Sequence, residues 1–446
     1  MFYFLLKPIV RIFYRIYYRI QVRGLENFLK ENPLVIIPNH VNGFIDPVVT
    51  ALFAKRKIRF FARGDVFRGR LARWLLNDLN ISPMYRITEG YGDVKKNDQT
   101  FEECRRLLTE NKAILIFPEG ICIQDRRIKK LKKGLARIVL SVEEEMLNKN
   151  DVQVVPVGLN YSNPSHFRSR LFINIGHPVS LGQFHTRYCQ DKVKAINECT
   201  QFMEEEMKKL VINIDDPGND RLYEAVAEIY TRQSLEEKGL DSANLETEYE
   251  KNNTLADRIN ALHKSTPGQI KQLNDKILPY LKELKQHGLR DHLLRRDVLS
   301  KMNLKSAMRD FFKLWFGLPV YWIGLLLNSP PYKLARNMAD TKAKMKEFYS
   351  SVFANLSMLL WLPYYLLQLA AIHHFSHSWW IVLVWAILVP VTGFFVIGFH
   401  PVMKKAFGRW KLLGLVRKNK ASAERLIYER EEIIQLIRQY LDETRE

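Results

Sequence analysis

Five short apolar runs constrain the fold of this chain more than any other feature. LVIIP (34–38), IRFFA (58–62), AILIFP (113–118), VQVVPVGLN (152–160) and RLFINIG (170–176) have the length of strands, and most are rich in β-branched residues. Helical stretches separate them, at 47–55, 67–80, 98–111 and 133–148. Strands that alternate with helices predict an α/β domain over residues 25–214, a mostly parallel sheet covered by helices.

The flanks obey other rules. In MFYFLLKPIVRIFYRIYYRIQVRG (1–24), Lys7, Arg11, Arg15, Arg19 and Arg23 recur every four residues. Four helical residues advance about 400°, so these cations form one slowly drifting stripe. Aromatic and aliphatic residues fill the rest. The pattern predicts an amphipathic helix in a membrane interface with its cations at the headgroups. The alternative is a helix packed on the protein's own core. Residues 215–305 are polar, charged and helix-rich, which predicts a helical insertion or second domain, either a solvated spacer or a substrate element.

Residues 306–446 read as a C-terminal membrane region ending in an amphipathic helix over 420–446. The stretches 353–372 and 379–399 each approach the ~20 residues that a spanning helix needs. Their connector, HHFSHS, has no Lys or Arg, whereas the outer flanks TKAKMK and KKAFGRWK are basic. Positive charge stays on the cytoplasmic side, so a transmembrane hairpin is expected with both flanks there. The stretch 311–327 carries Lys313 and Pro319 and ends at Asn328 and two prolines. A third crossing would translocate a basic segment, so 311–327 is expected to be re-entrant or interfacial.

The formal net charge of +20 calls for an acidic partner, nucleic acid or anionic membrane. Aromatic residues interleaved with Arg and Lys beside long apolar runs favour the membrane, and no nucleic-acid-binding motif is present. Cys104, Cys122, Cys189 and Cys199 form no C-x-x-C pair and no zinc spacing, so reduced thiols are expected and no metal. The three connector histidines read either as metal ligands or, preferably, as polar loop residues. No signal peptide is evident.

Chemistry concentrates in NHVNGFIDP (39–47), directly after LVIIP. Asp46 followed by Pro47 reads as a helix start, with Asp as N-cap and Pro at the first helical position. His40 then sits in a strand-to-helix loop that Gly43 allows to bend. Such loops, at the carboxyl ends of parallel strands, are where α/β proteins build sites. A carboxylate on one ring nitrogen orients a histidine, and the other nitrogen can accept a proton. By themselves the two residues also read as a capped helix and a polar loop histidine. Three further segments keep them company: ISPMYRI (81–87) with Arg86, AILIFPEG (113–120) with Glu119 and Gly120, and VVPVGLNY (154–161). Glu119 is a candidate to pair with a cation or accept a hydroxyl, and Gly120 to let backbone approach a ligand.

Together these segments resemble the glycerolipid (phospholipid/glycerol) acyltransferase superfamily over roughly residues 20–180. The motifs occur in the family's order: His40 and Asp46, then Met84–Arg86, then Phe117–Gly120, then Val155–Leu159 with Pro156 at its characteristic position. Two departures stand out. The family's usual spacing is His-x-x-x-x-Asp, whereas one more residue intervenes here, as in a branch that includes fungal-type glycerol-3-phosphate acyltransferases. The usual cation after Gly120 is replaced by Ile121, which leaves Arg126, Arg127, Lys132 and Lys133 as substitutes, Lys132 foremost.

The resemblance implies a membrane-bound O-acyltransferase of phospholipid synthesis with its catalytic domain on the cytoplasmic face. His40, oriented by Asp46, would act as general base on the hydroxyl of glycerol-3-phosphate, with lysophosphatidic acid as the alternative acceptor. The donor would be acyl-CoA or acyl carrier protein. No G-x-S-x-G elbow is present for an acyl-enzyme, and no cofactor is called for. Arg86, helped by Arg63 or Lys132, would hold the phosphate, a task suited to a guanidinium. The basic run 126–133 also reads simply as an attractor of anionic lipid. A catalytically silent lipid-binding scaffold is the rival from another class.

Overall fold

The computed structural model describes residues 2–29, 31–67, 69–84, 94–145, 151–300, 304–343 and 345–442. It comprises two compact units, Met1–Asn213 with Ala343–Val352, and Ile214–Lys342 with Phe353–Glu446.

The first unit runs α1 (Phe2–Tyr17), β1 (Arg19–Arg23), β2 (Leu34–Pro38), α2 (Ile45–Phe53), β3 (Ile58–Arg63), α3 (Arg70–Asp78), β4 (Ile81–Met84), α4 (Val94–Thr109), β5 (Ala113–Leu115), α5 (Gly134–Glu145), β6 (Gln153–Tyr161), β7 (Arg170–Ile175), β8 (Val179–Ser180), α6 (His185–Gln190) and α7 (Lys192–Lys208). The strands form one sheet in the order β1-β7-β6-β2-β5-β3-β4, with β8 beside β6. Pairing is parallel except where β6 meets β7 and β8. Val35, Ile37, Leu108, Ile114, Leu135, Val139 and Val154 are buried together where the sheet meets α4 and α5. Each such side chain contributes about 1.5–3 kcal/mol.

All five apolar runs are strands, but the strand within AILIFP ends at Leu115, followed by one last bond from the Ile116 amide to the Ile36 carbonyl. Pro118 has no N–H for a ladder, and the chain turns away to form the PEG corner. β1 and the four-residue β4 have no counterpart among those runs. β1 corrects the expected helix over 1–24, since α1 stops at Tyr17. Arg19–Arg23 (RIQVR) has a period of two and pairs in parallel with Arg170–Asn174. The cationic stripe is also partly turned inward. Lys7 donates to the carbonyl of Ala54 at 2.7 Å, and the Arg11 and Arg15 guanidinium groups lie 5.1 and 5.8 Å from the Phe53 ring centre. Tyr14, Tyr17 and Tyr18 are buried, while Ile9 and Ile12 are exposed.

The second unit is helical. α8 (Asp220–Val226) passes through a π-helical turn into α9 (Arg232–Glu237), followed by α10 (Leu245–Ser265), α11 (Pro267–Gln286) and α12 (Arg296–Leu299). Leu222, Val226, Leu255, Ile259, Leu273 and Ile277 are fully buried, so this region has its own core and is not a solvated spacer. Three long helices follow, α13 (Leu304–Lys342), α14 (Lys346–Ser376) and α15 (Trp379–Lys418), then α16 (Lys420–Leu441). All three are long and apolar enough to cross a membrane. α13 does not end at Asn328 and the two prolines as expected. The Asn328 amide donates to the carbonyls of Gly324 and Val389, tying α13 to α15 where Pro330 and Pro331 break the ladder.

Candidate active site

The loop between β2 and α2 is held at both ends. Asn39 exchanges side-chain hydrogen bonds with the backbone of Leu159 in β6, donating at 3.3 Å and accepting at 2.7 Å. One residue on, His40 Nδ1 lies 3.0 Å from Asp46 Oδ2. That same oxygen accepts from the amides of Val41 at 2.7 Å and Asn42 at 2.6 Å, and Oδ1 accepts from the Tyr161 hydroxyl at 2.8 Å. Asp46 is fully buried, whereas the His40 side chain is 17% exposed. A carboxylate only accepts, so Nδ1 is the donor of this bond and Nε2 is left facing away from Asp46.

The expected N-cap role of Asp46 is therefore corrected. α2 starts at Ile45 after Phe44, with no side-chain cap. The amides of Ile45 and Asp46 both donate to the Asn42 carbonyl, at 3.0 and 3.1 Å. This tight turn points the Val41 and Asn42 amides inward, where the carboxylate turns back to receive them. Gly43 also plays a different part from bending. A Cβ there would stand 2.7 Å from the Phe348 ring, so glycine is required by close approach.

The FPEG corner forms the wall. The Phe117 ring stacks on His40 with centroids 3.9 Å apart. Glu119, expected to face a cation or hydroxyl, instead braces backbone, accepting from the amides of His40 and Lys129 at 3.0 Å each. Burial pushes its carboxyl up to about 7, although both backbone bonds favour the charged form. Gly120 has φ +69°, and the Lys132 side chain lies along it, 3.3 Å from where a Cβ would stand. Lys132 is exposed beside the corner. Elsewhere in the basic run, Arg127 and Lys129 both pair with Asp125.

Other predicted residues fare differently. Pro156 is buried within β6 opposite Ile37, one register position short of the strand end at Pro38, and serves the sheet rather than the loop. Arg63 closes β3 opposite Met84, at the carboxyl edge of the sheet; the structure does not describe its side chain. Arg86 lies outside the described residues. Among the described residues no group of three His, Cys, Asp or Glu side chains is placed to hold a metal ion.

Sequence reasoning missed Tyr161, Tyr18 and the serines that reach Asn42. Tyr161 lies two residues past Leu159, where the fourth motif ends. Burial raises both phenols well above their usual range, reinforced for Tyr161 by the Asp46 charge, so each remains a neutral donor.

Residues 19–160 match the family model described as Acyltransferase. An uncharacterized acyltransferase of Schizosaccharomyces pombe is 29% identical over 262 residues, 57% of this chain and 37% of that protein. Glycerol-3-phosphate O-acyltransferase 1 of Saccharomyces cerevisiae is 24% identical over 244 residues, covering 53% of this chain and 31% of that protein. A 1-acyl-sn-glycerol-3-phosphate acyltransferase of Chlamydomonas reinhardtii is 25% identical over 144 residues, 32% of this chain and 39% of that one. The chain therefore spans well under half the length of these relatives. The crystal structure of the lysophosphatidate acyltransferase PlsC from Thermotoga maritima aligns with a TM-score of 0.34 and 18% identity, over 45% of this chain and 73% of that one.

Proposed function

We propose that this acyltransferase-family domain moves a fatty acyl group from a thioester donor, acyl-CoA or acyl carrier protein, to the hydroxyl of glycerol-3-phosphate, with His40 as general base. The observation that carries this reading is the 3.0 Å bond between His40 Nδ1 and a fully buried Asp46, in a loop at the carboxyl end of a parallel strand. Nε2 takes the hydroxyl proton as the oxygen attacks the thioester carbonyl. The tetrahedral adduct collapses, the carbon–sulfur bond breaks, and the imidazolium returns its proton to the departing thiolate. Base catalysis of this kind contributes about 10²–10⁴-fold.

Glycerol-3-phosphate is preferred over lysophosphatidic acid for two reasons. The motif has the longer His–Asp spacing, and the relative named for glycerol-3-phosphate matches more of the chain than the one named for the lysophospholipid. Lys132, beside Gly120, together with Arg86 and Arg63, would neutralise the acceptor phosphate.

We read α14 and α15 as a hairpin across the membrane, with the site on the cytoplasmic face. The basic outer flanks and the connector without Lys or Arg support that orientation. Ser350 and Ser351, in the first turns of α14, bond to Asn42, so an unpaired crossing by α13 would carry them away from the loop. α13 is accordingly read as entering the bilayer without leaving it on the far side.

The test is acyl transfer by the purified, detergent-solubilised chain, with His40→Ala alongside. Labelled acyl-CoA and acyl carrier protein are each paired with glycerol-3-phosphate and with lysophosphatidic acid. Turnover of glycerol-3-phosphate that disappears in the variant is the expected result. Equal activity in both proteins sinks His40 as the base, and activity only with lysophosphatidic acid transfers the assignment to that acceptor.

A further inference from the structure

We infer that Ser350 and Ser351 are positioning residues for the His40–Asp46 pair, acting through Asn42. The inference rests on the reading of His40 as base. Its ground is an amide with every bond made. Asn42 Oδ1 accepts from the hydroxyls of Ser350 and Ser351, each at 2.9 Å. Its Nδ2 donates to the Tyr18 hydroxyl at 3.1 Å and to the Pro164 carbonyl at 3.2 Å. Those four bonds use both lone pairs and both hydrogens of the side chain. Asn42, Ser350 and Ser351 are all completely buried. Ser351 also accepts from the amide of Phe44 at 3.0 Å, so the serines grip the loop at two points.

Asn42 is well placed to pass that grip on. Its own amide is one of the donors to Asp46 Oδ2, and its carbonyl receives the amides that start α2. A shift of Asn42 therefore shifts the carboxylate, and the carboxylate orients the His40 ring. Asn42 lies in the stretch where this motif is one residue longer than usual. The inserted loop thus comes with a partner supplied from about three hundred residues away. That partner belongs to α14, which runs on to Ser376 and is long and apolar enough to cross a membrane. The same helix that would anchor the chain thereby holds the loop that carries the base.

The experiment compares the full chain with Ser350→Ala/Ser351→Ala, in the wild-type and in the Asp46→Asn background, by acyl transfer and by thermal melting. Misplacement of a catalytic group by about 1 Å costs about 100-fold, so a partial loosening should lower kcat by about tenfold or more. KM for donor and acceptor should stay within about twofold. In the Asp46→Asn background, where the His40 ring has lost the carboxylate that orients it, the serine changes should lower kcat much less than in the wild type. An unchanged kcat in a folded double variant, a rise in KM alone, or an equal loss of kcat in both backgrounds overturns the inference. Should the double variant fail to fold, the single variants each leave one hydroxyl on Asn42 and should show intermediate losses; no loss in either overturns it equally. If His40→Ala keeps its activity, the base assignment has failed first. If His40→Ala is inactive and the serine variants are normal, only the present inference falls.

Discussion

The hydroxyl of Tyr161 donates to Oδ1 of Asp46 at 2.8 Å, joining the end of strand β6 to the first turn of α2. This bond fills the one oxygen of Asp46 that the loop amides leave open, and both residues are buried. Tyr161→Phe leaves a buried carboxylate oxygen without its donor, a change that costs about 1–3 kcal/mol. The variant should melt lower and lose kcat while its KM for acyl donor holds. Melting curves and steady-state kinetics on one preparation check both halves.

Glu119 should make stability depend on pH. Its folded carboxyl titrates at about 7 against an ordinary 4.5, raised by burial. The folded state then binds more protons than the unfolded state across that window. Stability from this group is fully present below pH 4.5 and is lost as pH rises to about 7, by about 3 kcal/mol at most. Glu119→Gln removes the titration. The difference in melting temperature between wild type and variant should drift with pH from 4.5 to 7 and be flat above. A constant difference contradicts the shift.

Gly43→Ala should be costly although alanine is small. Its Cβ would lie 2.7 Å from the Phe348 ring and 3.1 Å from Ser351 Oγ. Overpacking of this kind costs about 1–3 kcal/mol, and here the strain falls on the His40 loop. Adding Phe348→Ala should return much of the lost activity by making room. If the double variant is no better than Gly43→Ala alone, the contact is not the cause.

In the second unit, Arg430 and Asp291 form a buried pair, with Nε and a terminal nitrogen of Arg430 each 2.9 Å from a carboxylate oxygen. Tyr280 donates to the same carboxylate at 2.9 Å. Removing one partner strands a buried charge, so Arg430→Met should cost about 3–5 kcal/mol. Arg430→Met with Asp291→Leu should cost less than the single change. Denaturant unfolding of the single and double variants decides.

Some of this site is written in local sequence. A strand running straight into a histidine loop, a carboxylate six residues on, and a Pro-Glu-Gly corner after a second strand are patterns of neighbours along the chain. Backbone periodicity makes them legible, and β2, β3, β6 and β7 fall within two residues of their expected bounds. The pairing of His40 with Asp46 follows from the same closeness, since six residues of turn leave few other partners. Lys132 beside Gly120 is a further case, because the chain has only to double back over a dozen residues.

The sequence by itself therefore determined the alternating α/β pattern, the loop that carries His40 and Asp46, and the apolar helices of the last third. It did not disclose what the Asp46 carboxylate does, because capping and turning back satisfy the same residue equally well until the loop amides have a direction. It did not show that RIQVR leaves α1 to become an edge strand, because only β7 alongside makes that choice favourable. It was silent on Tyr161 and on Ser350 and Ser351, which reach the site across 115 and about 308 residues. Contacts at such separation leave no periodic trace. They exist because the sheet order sets β6 beside β2 and because a helix start packs against the loop, and only the tertiary structure decides either.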